Sequence, residues 1–206
     1  MKTFLIIFLG IFLSFKVAYG GVEATMQTLS NQKGQKHVIT GKFFAEGQRI
    51  RLDQNVIDIS QSTIVDYFSK KVLVLLHSRK LYVETILNDV SWRERVMRGQ
   101  IPSIQEAEKL GFQMKKIADE EISGFACQGY FLKWKEGENE IQMKMWVSKD
   151  LEGGIPLKTE TKTSNGLEQV STLYQIHKKP LEDELFQIPI DYAHGEHTII
   201  GLLPEN

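Results

Sequence analysis

Apolar and polar residues alternate at period two through most of the chain after residue 20, and that spacing predicts strands rather than helices. Val22–Ser30 alternates until the turn-forming run Asn31-Gln32-Lys33-Gly34-Gln35. His37–Glu46 follows, and Gly47-Gln48 makes a tight connection into Arg49–Gln54. There Ile50 and Leu52 face one way while Arg49, Arg51 and Asp53 face the other, as in a strand buried on one side and wet on the other. Ser62–Ser69, Val72–Ser78 and Leu81–Ile86 are separated by Lys70-Lys71 and Arg79-Lys80, breaks short enough for hairpins, so this region reads as a meander. Val72–Leu76 is apolar at every position, which predicts a central strand covered on both faces.

From Asn88 to about Met114 the period changes. Ser91-Trp92-Arg93-Glu94 reads as a capped helix start, and Pro102-Ser103-Ile104-Gln105-Glu106 as a capping box opening a second short helix that stops at Gly111. Strands resume at Glu121–Lys135, as one long strand or two bent ones, and continue through Glu140–Ser148, Pro156–Thr163 and Leu167–His177. About ten strands with a helical insert make an α+β pattern around one large antiparallel sheet. The chain has no internal repeat or interdomain linker, and residues 21–206 read as a single domain.

The first twenty residues stand apart. An apolar block, Phe4–Phe15, follows Lys2, and Ala18-Tyr19-Gly20 places small residues at the −3 and −1 positions of a signal-peptidase site. The expected mature start is Gly21, in the periplasm or outside the cell. A membrane anchor is the rival reading, but the block falls short of the ~20 apolar residues a span needs. With Lys2 and Lys16 removed, 23 basic residues face 26 acidic ones, interleaved along the chain, which argues against a nucleic-acid partner. Cys127 is the only cysteine, so no intramolecular disulfide can form. Its setting in Phe125-Ala126-Cys127-Gln128-Gly129-Tyr130 is that of a small buried hydrophobe.

Signals of catalysis are thin. The chain lacks a G-x-S-x-G elbow, an H-E-x-x-H helix, a phosphate-cradling glycine loop and a paired-cysteine metal motif. No catalytic residue and no cofactor is expected. His194-Gly195-Glu196-His197, close to Asp191, offers groups that Zn²⁺ binds, but with no regular element to hold them it reads first as a polar terminal turn. His37, His77 and His177 are each isolated in sequence.

The order of elements resembles the periplasmic lipoprotein-sorting (LolA-like) superfamily. The resemblance lies in the leader, the opening strand, the turn with Gly47, Arg49 and Arg51, and the meander ending Lys80-Leu81-Tyr82-Val83-Glu84. It continues through Gly124 and Cys127, Met145-Trp146-Val147-Ser148, Gly154-Ile155-Pro156-Leu157-Lys158, and Leu185-Phe186-Gln187-Ile188-Pro189-Ile190-Asp191-Tyr192. It implies a strongly curved, incomplete barrel whose concave side is covered by helices and shelters acyl chains.

Strand Glu140–Ser148 puts Ile141, Met143, Met145 and Val147 on one face. Methionines suit irregular guests and ordinary cores alike, so this stripe is a ligand surface or closed core. Phe43, Phe68, Tyr82 and Phe131 are the aromatic residues expected to line the same interior as Met143 and Met145. The function expected is that of a binding or carrier protein for a lipid, a lipoprotein acyl chain or another hydrophobic ligand, with transient or peripheral membrane contact. The alternative is a non-catalytic interaction or sensor module that docks another envelope protein.

Overall fold

The computed structural model describes residues 20–56, 59–87, 101–148, 150–151 and 155–195. Twelve strands form one sheet: β1 (Gly21–Gln32), β2 (Gln35–Glu46), β3 (Arg49–Val56), β4 (Ile59–Asp66), β5 (Lys71–Leu76), β6 (Leu81–Ile86), β7 (Gln113–Ile122), β8 (Phe125–Glu136), β9 (Asn139–Ser148), β10 (Pro156–Thr163), β11 (Leu167–Lys179) and β12 (Ala193–His194). Their order is β12-β6-β5-β4-β3-β2-β1-β11-β10-β9-β8-β7. The first and last strands do not pair, so the sheet is open. Every pairing is antiparallel except that of β12 with β6.

Turn chemistry sets most of this register. Lys33-Gly34 joins β1 to β2 with both residues at positive φ (51° and 87°), the primed geometry that matches the twist of paired strands. Ser123-Gly124 does the same between β7 and β8 (53° and 81°). That turn splits the segment expected as one long or two bent strands at Glu121–Lys135, and β7 begins at Gln113, inside the expected helical region. With the short β12, this raises the expected count of about ten to twelve. The breaks expected at Lys70-Lys71 and Arg79-Lys80 are also wider: Tyr67–Lys70 links β4 to β5, and a 3-10 turn at His77–Arg79 precedes β6. The hairpin tip at Ser123 curls back to β11, where its hydroxyl donates to the Leu173 carbonyl (2.7 Å).

The predicted capping box is present in full. Helix α1 (Ile104–Lys109) starts with Ser103 accepting from the Glu106 N–H while the Glu106 carboxylate accepts from the Ser103 N–H. That N–H donation holds the Glu106 carboxyl below its usual range. The helix ends at Gly111 (φ 85°), with Gly111 N–H on the Glu108 carbonyl and Phe112 N–H on that of Ala107, a Schellman stop. The helix start expected at Ser91 lies outside the described residues, as do the leader and its cleavage site. No described helix is long and apolar enough to cross a membrane.

Residues paired across neighbouring strands share a face, so the registers sort side chains onto two faces. The inner face carries Met26, Phe43, Leu52, Leu157 and Leu173, which belong with Met143 to the main apolar cluster. The outer face of β2–β6 holds a second, smaller core of Phe44, Ile64, Leu73, Leu75 and Tyr82. It is sealed by residues 181–192, through Leu181, Leu185, Phe186, Ile188 and Tyr192. The strand Val72–Leu76 is thus apolar on both sides because both sides are covered. The face of β3 expected to be wet is partly covered too: Arg51 is only 14% exposed, while Arg49 and Asp53 keep 29% and 32%.

Cys127 is a packed, free thiol. Burial pushes it up to about 11, and its Sγ lies 3.4 Å from the Phe125 carbonyl. Maleimide at pH 7.5 is expected to modify the native protein far more slowly than the urea-unfolded chain; equal rates in the two states would contradict this packing.

Candidate functional site

The inner face is not uniformly apolar. At the centre of the sheet, β10, β11 and β1 place Thr159, Ser171 and Thr28 in one lateral row and Thr161, Gln169 and Ser30 in the next. All six are at most 4% exposed. Met145 and Met143 on β9 continue the two rows on one side, and Ile39 and His37 on β2 continue them on the other. Thr28 and Ser171 share a hydrogen bond (2.8 Å), and Gln169 donates to Ser171 (3.4 Å). Ser30 Oγ, Thr159 Oγ1 and Thr161 Oγ1 are buried without a hydrogen-bond partner among the described residues, and so is Gln54 Oε1 on β3. Most buried polar atoms in proteins are paired, so this concentration on one face is unusual.

Of the six residues expected to line the interior, the structure brings three to this face. Phe43 and Met143 belong to the main cluster. Met145 is fully buried beside Ala107 of α1, Phe112, Met114, Tyr130, Leu132 and Val147. The other three are elsewhere. Phe68 sits in the β4–β5 turn, 85% exposed, because strand β4 ends at Asp66, whose carboxylate accepts from the N–H groups of Phe68 and Ser69. Tyr82 pairs with Leu75 on the outer face and packs under the C-terminal segment, in edge contact with the His194 ring (5.1 Å). Phe131 pairs with Lys144, also on the outer face, and the Lys115 ammonium lies 4.9 Å from its ring. Each fails for one reason: side chains alternate, so one residue of offset or an early strand end moves a ring out of the interior.

A polar constellation on the outer face had no signal in the sequence. Ser62 Oγ donates to Asp53 Oδ1 (2.5 Å), accepts from Arg51 Nη2 (3.0 Å) and lies 2.6 Å from His77 Nε2. Ser62 has one proton, given to Asp53, so His77 must donate through Nε2–H. His77 Nδ1 then accepts from the Tyr192 hydroxyl (2.6 Å). Serine, histidine and aspartate stand together here, but the carboxylate orients the serine rather than the imidazole, and Ser62 is completely buried. The arrangement lacks the geometry of a nucleophile raised by a base. It fastens the C-terminal segment instead, since Arg51 Nη1 also donates to the Leu185 carbonyl (2.7 Å).

Three further contacts secure that segment. Arg49 pairs with Asp183 (2.7 Å) and lies over the Phe186 ring (4.5 Å). Lys80 pairs with Asp191 (2.7 Å), and its donated hydrogen bond holds that carboxyl below the usual range. Of His194-Gly195-Glu196-His197, the last two lie outside the described residues. Among the described residues no group of three or more His, Cys, Asp or Glu is placed to hold a metal ion.

No family model matches the chain, and no curated protein matches it. Among solved structures, its fold is similar to that of an uncharacterized conserved protein from Thermus thermophilus, at 12% identity and a TM-score of 0.54, covering 86% of this chain and 91% of that one. A structure of PNGF-II is also similar, at 12% identity and a TM-score of 0.50; it covers 89% of this chain, which spans only 32% of that protein's length. A LolA superfamily protein from Nitrosomonas europaea aligns over 84% of this chain and 92% of its own, at 9% identity and a TM-score of 0.43. The likeness to the first two of these is one of fold alone.

Proposed function

We propose that the protein is an exported, non-catalytic carrier or binding protein for a hydrophobic ligand, with the inner face of the sheet as its binding surface. In this reading the sheet is a half-barrel, the helical insert covers its concave side, and export follows cleavage after Gly20. The observation that carries it is an open sheet whose inner face gathers Phe43, Met26, Met143, Leu157 and Leu173 into its largest apolar cluster. Each methylene of an acyl chain buried there contributes about 0.8 kcal/mol. Phe43 and Met145 are closed to solvent, so loading requires the packing over them to open. Delipidated full-length mature protein is expected to take up a pyrene-labelled alkyl chain with a saturable fluorescence increase; a linear, unsaturable response would contradict the proposal.

One observation favours the alternative of an interaction module. Leu29 and Val38, paired across β1 and β2 on the outer face, are 46% and 63% exposed. Such a pair suits a protein contact more than a lipid cavity.

A further inference from the structure

Resting on the reading of the inner face as a ligand surface, we infer that the block on β10, β11 and β1 is a polar subsite that selects a neutral acyl ester, rather than a free fatty acid or a plain hydrocarbon. Thr159, Thr161 and Ser30 each bury a hydroxyl that has no partner among the described residues. Such a hydroxyl is a donor already stripped of water, and its desolvation is recovered when an acceptor arrives. The side chains are aimed at the inner face, immediately beside Met143 and Met145. An amphiphile with its chain against the methionines therefore presents its carbonyl to hydroxyl donors.

Charge decides which carbonyl. From β9 across to β2, among the described residues, Lys178 takes an inner-face position, paired with Val22 three rows beyond Thr28 and donating to the Asp150 carbonyl (2.8 Å). The titratable group nearest the block is His37 at the end of its row. The other lysines of these strands, Lys36, Lys42, Lys144, Lys158, Lys162 and Lys179, lie on the outer face, and Lys144 and Lys158 pair there with Glu160. A carboxylate would enter a buried site with no cation to meet it, whereas an ester brings two acceptor oxygens and no charge. The donors are hydroxyls, which suit a carbonyl acceptor and leave no fixed charge behind in the empty state.

Full-length mature protein, delipidated, is titrated at pH 8 with three fluorescent probes sharing one chain: methyl pyrenedodecanoate, pyrenedodecanoic acid and dodecylpyrene. The methyl ester is expected to bind about tenfold more tightly than the acid. The triple substitution Ser30→Ala, Thr159→Val, Thr161→Val is expected to weaken the ester by about tenfold, leave dodecylpyrene within about twofold, and raise the melting temperature of the empty protein, because unpaired hydroxyls leave the interior. The inference is overturned if the acid binds as tightly as the ester, or if the substitutions weaken ester and hydrocarbon alike. The comparison among probes on the unsubstituted protein stands even where the variant does not fold. Saturable dodecylpyrene binding without ester preference overturns the subsite and leaves the carrier reading intact, whereas no saturable binding of any probe overturns both.

Discussion

Met145→Lys is expected to prevent folding. Met145 is completely buried between β8, β10 and helix α1, in an apolar cluster with Ala107, Leu132 and Val147. An ammonium set among those apolar side chains is desolvated, and its burial costs several kcal/mol, comparable with the whole stability of a typical domain. Circular dichroism of the purified variant should show loss of the cooperative sheet transition. Retention of a folded, cooperative protein would mean that Met145 faces a solvent-accessible cavity. Met145 is closed core in the described state, so a folded Met145→Lys would revise the packing of α1 as well.

Arg51→Leu is expected to lower stability by about 3 kcal/mol, at the lower end for a broken buried ion pair because Asp53 keeps about a third of its exposure. The guanidinium joins Asp53 (2.6 Å), Ser62 and the Leu185 carbonyl, so its loss leaves the Asp53 carboxylate to the Ser62 hydroxyl, takes the guanidinium donor from the Leu185 carbonyl and frees the C-terminal segment from β3. Urea unfolding measures the loss, and hydrogen exchange should show residues 185–192 opening before the rest of the sheet. Tyr192→Phe removes the same clasp from its other end, so the double variant should lose less than the two single effects combined. A loss below about 1 kcal/mol, with exchange unchanged in that segment, would show that the apolar contacts of Phe186 and Leu185 hold it unaided.

The strands legible in the sequence are those bounded by turn chemistry. Lys33-Gly34 and Gly47-Gln48 mark β1–β3, and the Ser103/Glu106 box marks α1 to the residue. Ser123-Gly124 carries the same kind of signal, but the alternation of Glu121–Lys135 continues across it and masks the turn. β7 was hidden by its composition: as an edge strand it exposes Lys115, Lys116, Glu120 and Glu121, which break any apolar period while protecting the edge. The clasp joins positions 51, 53, 62, 77 and 192, far apart in sequence, and only the docking of an irregular C-terminal segment brings them together.

The candidate site was legible in its apolar half alone. Period-two reading sends polar residues outward, yet in β1 it is Thr28 and Ser30 that face in and Leu29 that faces out. The parity of Ala24 and Met26 held the clue, since they and Leu29 cannot share a face. Phe131 and Tyr82 follow the same rule, and their aromatic character outweighed their parity in the expectation.

Whether the inner face holds a hydrophobic ligand is decided by native mass spectrometry of the mature protein, released from the cell envelope without detergent. The expected result is a chain beginning at Gly21 that carries a bound amphiphile, released on collisional activation and identified in the organic extract as an acyl ester. A population entirely at the bare polypeptide mass, unchanged after incubation with vesicles, would contradict a ligand-holding face.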